Sequence, residues 1–102
     1  MSEAERRSNE IAETYRAVYL RDRGRCVVCN KALRYGEGQL AHVLPQDEIG
    51  LYGKEVIHHP QNQRLTCDLY CNGRVEIDPK SRPIAAERQA AIVRLAMKRE
   101  RR

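Results

Sequence analysis

The chain carries its four cysteines as two short-range pairs, Cys26-Val-Val-Cys29 and Cys67-Asp-Leu-Tyr-Cys71. Two pairs at such spacing can close one tetrahedral thiolate site. That closure fastens both ends of the intervening segment to one point, which restricts the fold more than any other feature of the sequence. The fastened segment holds Ala41-His42-Val43-Leu44-Pro45 and Gln61-Asn62-Gln63-Arg64-Leu65-Thr66, and Asn72 follows directly on the last cysteine. His42, Asn62 and Asn72 are thereby drawn toward one small region.

A staple of this kind is needed. The chain has 102 residues, and its only aromatics are five tyrosines. That is one domain with few large apolar groups for a core, and small cores are commonly completed by a metal. Disulfides are the competing use of cysteine. The opening Met1-Ser2-Glu3-Ala4-Glu5-Arg6-Arg7 is polar and charged, and no segment reads as a signal peptide. No run approaches the ~20 apolar residues of a membrane span. A reducing, cytoplasmic setting is therefore expected, which favours a bound metal over a disulfide. Zinc is the expected ion, with iron and a disulfide or redox pair as the alternatives. The CxxxC spacing of the second pair is less usual than CxxC.

The net charge is +5, and all of the excess lies at one end. Residues 80–102 hold eight basic groups (Lys80, Arg82, Arg88, Arg94, Lys98, Arg99, Arg101, Arg102) against Glu87 and Glu100, whereas residues 1–79 hold eleven basic and twelve acidic groups. A basic segment of this kind suits a polyanion or a solvated helix face.

Three regions follow along the chain. Residues 2–22 read as a helix opened by a Ser2-Glu3-Ala4-Glu5 capping box and ended by Gly24, with Ile11, Tyr15, Val18 and Tyr19 as its core face. Residues 25–79 carry the motifs: a knuckle at Cys26 and Cys29, a turn at Tyr35-Gly36-Glu37-Gly38, and a strand over 39–43. A long polar connection from Pro45 to Pro60, a strand over 64–66 and a helix from about Leu69 to Ile77 complete this region. The last helix covers 81–102, with Ser81 or Arg82 at its cap, Pro83 in its first turn, and Ile84, Arg88, Ala91, Ile92 and Leu95 along one face.

The ordered motifs resemble the HNH endonucleases, in the form whose third letter is Asn. Members of that family show a first CxxC, then His-hydrophobic-hydrophobic-Pro, then an Asn shortly before a second cysteine pair, then His or Asn. Here these are Cys26 and Cys29, His42 to Pro45, Asn62, Cys67 and Cys71, and Asn72. The approach Arg21-Asp22-Arg23-Gly24-Arg25 to the first cysteine is also similar. The resemblance covers residues 20–77.

The resemblance implies a small ββα-metal core in an α+β domain, stapled by a four-cysteine zinc site and flanked by an N-terminal and a C-terminal helix. It implies that His42 is the general base, that Asn62 fixes the loop orienting it, and that Asn72 ligates a single catalytic Mg²⁺ or Mn²⁺ through its amide oxygen. Imidazole titrates near neutral pH, and a carboxamide oxygen suits a hard cation. Many members place Asp or His directly before the base, where this chain has Ala41. Glu76 is the first choice for the missing ligand, since residues four apart share a helix face, with Asp47 and Glu48 as alternatives. His58 and His59 match no motif position and read as surface residues or phosphate contacts.

The expected function is hydrolysis of DNA phosphodiester bonds, nicking one strand of a duplex with little sequence selectivity. The backbone would be held by the basic C-terminal segment, or failing that by Arg21, Arg23, Arg25 and Arg64. The rival readings are a non-catalytic zinc module that binds DNA or a partner, an inactive relative given Ala41, and a thiol-based redox or metal sensor. Small proteins of this type occur in phages, prophages and restriction systems.

Overall fold

The computed structural model describes residues 2–101. Helix α1 spans Glu3–Arg21. The Ser2 hydroxyl accepts from the Glu5 backbone N–H at 3.2 Å, the first half of the expected capping box. At the other end Gly24 adopts φ 65°, and its N–H reaches the Tyr19 carbonyl at 2.9 Å. This left-handed turn favours glycine. A Cβ there would also lie 2.8 Å from the Tyr19 hydroxyl.

The inward face of α1 begins later than its spacing indicates. Val18 is fully buried, but Ile11 is 63% exposed. Residues 3–13 are exposed throughout, so Ile11 has no neighbour to cover it. Farther along, the tyrosines compensate for the missing large apolar groups. Tyr19 donates to the Leu33 carbonyl at 2.7 Å, and the Tyr15 hydroxyl oxygen accepts from the Gly36 and Gly38 N–H groups. The Tyr35 ring meets both others edge-on. The turn ahead of the first strand is thereby fixed to α1.

Strands β1 (Gln39–His42) and β2 (Gln63–Thr66) pair antiparallel, with Gln39 opposite Thr66 and His42 opposite Gln63. Gly38 leads into β1 where a Cβ would sit 2.5 Å from a Leu65 methyl, so the chain approaches the interior too closely there for a side chain.

The connection from Pro45 to Pro60 is not the loop its polarity suggests. It folds into a 3-10 turn at Gln46–Glu48, helix α2 (Ile49–Tyr52), helix α3 (Lys54–Ile57) and a second 3-10 turn at Pro60–Asn62. Each piece is too short to show a helical period, and Gly53 separates α2 from α3. Val56 and Ile57 are buried nonetheless, and they carry this segment's share of the core.

Helix α4 spans Leu69–Val75 and stops two residues before the expected end, because the Ile77 N–H turns back to the Val43 carbonyl at 2.8 Å. Helix α5 spans Pro83–Glu100 behind Arg82 at its cap. The main core joins Leu44, Val56, Ile57, Ala86, Ala90 and Val93, with Tyr52, Ile77 and Met97 packed at its edge.

The buried face of α5 is not the expected one. Ile84, Arg88, Ala91, Ile92 and Leu95 are all exposed, while Ala86, Gln89, Ala90 and Val93 face inward. The alanines let the helix approach closely, and Gln89 then donates to the Gln61 carbonyl at 2.9 Å. Larger aliphatic residues would hold the helix off and break that bond. The described residues form an α+β domain of five α-helices and one two-stranded sheet, with the four cysteines gathered at one place. No described helix is long and apolar enough to cross a membrane.

Candidate metal centre and polar cleft

Three segments deliver the cysteines. Cys26 and Cys29 lie on a knuckle after α1, where the Asn30 N–H returns to the Cys26 carbonyl at 2.9 Å and the Val27 N–H to the Leu65 carbonyl at 3.0 Å. Cys67 follows β2, and Cys71 lies in the first turn of α4. The CxxxC spacing has a local cause. Asp68 between them is the helix cap, and its carboxylate accepts from the Cys71 N–H at 2.9 Å.

The four sulfur atoms lie within 4.8 Å of one another, with Cys29–Cys67 at 3.5 Å and Cys67–Cys71 at 3.6 Å. A tetrahedral zinc thiolate with bonds of ~2.3 Å has S···S edges of about 3.8 Å, so the donor set fits such a site. The electrostatics agree. Burial raises the Cys26 thiol, but the backbone N–H groups of Cys29, Val28 and Cys67 outweigh it and bring it down to about 6. Cys71 is pushed up by burial and by its cysteine neighbours, and Cys67 is pushed up chiefly by Cys29. The Cys26 thiolate is favoured while those of Cys67 and Cys71 are opposed, a conflict that a divalent cation among them would relieve.

A second site lies at the end of β1. A polar cleft of about 310 Å³ is lined by Leu40, His42, Pro45, Gln46, Asp47, Asn72 and Glu76. His42, Asn72 and the carboxylates Asp47 and Glu76 therefore line one cleft, although they come from two separated stretches of the sequence. Glu76 is the residue that caps α4, not part of its last turn, and the bond from Ile77 to Val43 brings it there. Glu48 is not among the lining residues. Ala41 is fully buried, so the position before His42 is packed by a methyl group and offers no ligand.

Asn62 lies behind the cleft and is fully buried. Its Oδ1 accepts from the Leu44 N–H at 2.9 Å, and its Nδ2 donates to the Leu44 and Ile57 carbonyls at 3.1 and 2.8 Å. The Gln89 amide reaches the same Oδ1 at 3.4 Å. Asn62 thus ties the residues following His42 to α3 and α5, and an uncharged carboxamide is the side chain that can both donate and accept in this way.

His42 is half-buried. Burial lowers its pKa below 6.5, and the nearby charge of His58 lowers it further. The two rings stand edge-on with centroids 5.5 Å apart. A neutral His42 is the form that accepts a proton, so any activity needing this base should persist below pH 6.5. Replacing His58 with Gln removes one of the two lowering effects. The acid limb of kcat/KM should then move to higher pH in a pH-rate profile, and an unmoved limb would detach that limb from His42.

His59 is not a surface residue. Its side chain is only 10% exposed, its Nε2 lies 2.9 Å from Glu100, and its Nδ1 accepts from the Gln61 N–H. Two arginines are likewise used internally. Arg21 donates to the Pro60 carbonyl at 2.8 Å and to that of Gln63, and Arg64 donates to the carbonyls of Gln61 and Gln63. Both brace the turn that presents Asn62. A second hollow, of about 550 Å³, is lined by Glu10, Glu13, Glu55 and Glu100 beside His58 and His59. Its carboxylates share the sign of a phosphate, which suits it poorly to nucleic acid.

Sequence reasoning did not find Gln46 beside His42 or Gln89 beside Asn62. Gln89 left no signal, because it lies on the alanine face of α5, which the spacing of the larger aliphatic residues places outward. Comparison of the chain with protein-family models, with curated proteins and with solved structures found no match.

Proposed function

We propose that the chain is a metal-dependent DNA endonuclease of the HNH type, in which zinc at the four cysteines is structural and hydrolysis takes place in the polar cleft. The observation that carries this reading is the convergence of His42, Asn72 and Glu76 on one cleft, with buried Asn62 fixing the chain beside the histidine. In this reading β1, β2 and α4 are the two strands and helix of a ββα-metal core.

The roles follow from the chemistry of each group. His42 takes the proton of the attacking water. Asn62 keeps the His42 backbone in place. The Asn72 amide oxygen and the Glu76 carboxylate would hold Mg²⁺ or Mn²⁺, with Asp47 as the further carboxylate at hand. Few protein ligands suit an ion that keeps waters and takes phosphate oxygens. When bound, that ion supplies charge neutralisation at the phosphate and at the leaving oxygen. Four thiolates close the zinc site, which leaves zinc no open position for water.

The test is direct. Supercoiled plasmid incubated with the zinc-loaded protein and Mg²⁺ or Mn²⁺ should become open circles, and chelation of the added ion should stop the reaction. DNA binding without any nicking would leave a zinc-stabilised binding module instead.

The basic groups on the outer face of α5 are assigned to the DNA backbone. Arg88, Lys98 and Arg99 are exposed there, whereas Arg101, at the helix cap, lines the acidic hollow, and Arg102 lies outside the described residues. Replacing Lys98 and Arg99 with Ala leaves Glu100 on His59 and removes two phosphate contacts. The log–log salt dependence of duplex binding should become shallower by up to ~2, at about 0.9 per contact. Nicking at saturating protein should be unchanged. An unaltered slope would move the contact surface to Arg23, because Arg21, Arg25 and Arg64 all donate to backbone carbonyls.

A further inference from the structure

We propose that Gln46 is the positioning residue that sets the proton on His42. Its side-chain amide donates to Nδ1, so the ring proton sits on Nε2 and the Nδ1 lone pair points toward the cleft.

The geometry gives the direction of the bond. The Gln46 Nε2 lies 3.2 Å from His42 Nδ1. An amide nitrogen donates and does not accept, so Nδ1 must present its lone pair. A neutral imidazole carries one proton, which leaves it on Nε2. Histidine tautomers are commonly fixed from the far side of the ring, by a carbonyl or carboxylate that accepts from the other nitrogen. Here the far side offers nothing, since Nε2 is sealed from solvent and has no hydrogen-bond partner among the described residues. The choice is made from the cleft side alone, and Gln46 makes it.

The fold aims the amide at the ring. Pro45 is buried, and the 3-10 turn Gln46–Glu48 starts on it, closed by the Glu48 N–H on the Pro45 carbonyl at 3.0 Å. That turn brings residue 46 back over the end of β1. Gln46 is exposed and lines the cleft, so its side chain can swing aside and let a water take its place at Nδ1. The unpaired Nε2–H is the unfavourable side of this arrangement. Without the Gln46 donor, the cost of the buried, unpartnered Nε2–H outweighs the intrinsic preference of a free imidazole for that tautomer, and the Nδ1–H form takes over. That form would present a proton to the cleft where a base is required.

The tautomer assignment stands on the geometry, and its use in hydrolysis rests on the endonuclease reading. The test uses the full, zinc-loaded chain with ¹⁵N-labelled histidine and long-range ¹H–¹⁵N correlation at about pH 8, where the ring is neutral. The parent should show the Nε2–H tautomer. Gln46→Glu offers an acceptor in place of the donor and should convert His42 to Nδ1–H or to imidazolium. Gln46→Met offers neither and should lose the preference for Nε2–H. A parent in the Nδ1–H form would overturn the inference, and so would an Nε2–H signal that persists in both variants. Retained zinc and a native amide spectrum identify a folded variant, and Gln46→Ala, which only removes an exposed amide, replaces any variant that does not fold and should likewise lose the preference for Nε2–H. Nicking by a parent in the Nδ1–H form would sink this inference and leave the function standing. The predicted tautomers without nicking would do the reverse.

Discussion

Replacing Cys67 with Ser is expected to leave the protein without its metal and without most of its fold. The main core joins α3 and α5 around Leu44, and none of its members belongs to the knuckle or to α4. At the cysteine end the buried apolar side chains are few, mainly Val18, Ala41 and Leu65, and the tyrosines there are tied by hydrogen bonds to a turn. A zinc thiolate at the four cysteines would fill that deficit. Structural zinc contributes on the order of 10–16 kcal/mol in small metal domains, as much as the ~5–15 kcal/mol by which a whole domain is stable. Elemental analysis should give one zinc per parent chain and far less than one for the variant, and far-UV circular dichroism should show the loss of helix. A folded parent with no zinc, or with four thiols that alkylate freely, would contradict this account of the staple.

The second large effect is expected at Asn62. Asn62→Ala leaves the buried Leu44 N–H and the carbonyls of Leu44 and Ile57 without partners, and it removes an acceptor of Gln89. An unsatisfied buried group costs about 1–3 kcal/mol, so the sum should reach about 3–4 kcal/mol after relaxation. For a domain of this size that is on the order of 15 °C in Tm. Asn62→Asp should fare no better, because a carboxylate would face two carbonyl oxygens. Nicking should fall in both variants even at temperatures where they stay folded, since the chain after His42 loses its anchor. Thermal melts in excess zinc would check the first part. A Tm within about 3 °C of the parent would mean that Asn62 is not the anchor its bonds describe.

The parts of this structure legible in the sequence are those fixed by local chemistry. The cysteine spacing announced a common site because thiols can meet only if the chain between them closes. The strand around His42 and that around Leu65 showed a short alternation bounded by turn residues. Ser2 and Pro83 marked helix starts because caps are local. What the sequence hid depends on which surfaces meet. Helix α5 carries aliphatic residues on one side and alanines on the other, and periodicity alone favours the larger ones. Close packing against the Asn62 turn selects the alanines. Residues 45–60 hid two helices because four-residue helices have no period to read. His59 and Glu100 are far apart in sequence, and only the fold brings them together. Gln46 was invisible for a related reason, since its role depends on a turn that Pro45 starts.

The central claim is that His42 performs the chemistry in a cleft that zinc does not enter. Its most direct test is the single-turnover rate of plasmid nicking by His42→Ala against the parent, at matched DNA occupancy and matched zinc content. The account predicts a loss of ~10²-fold or more, the scale of a missing general base, with zinc and DNA affinity unchanged. Nicking by the variant at the parent rate would contradict it.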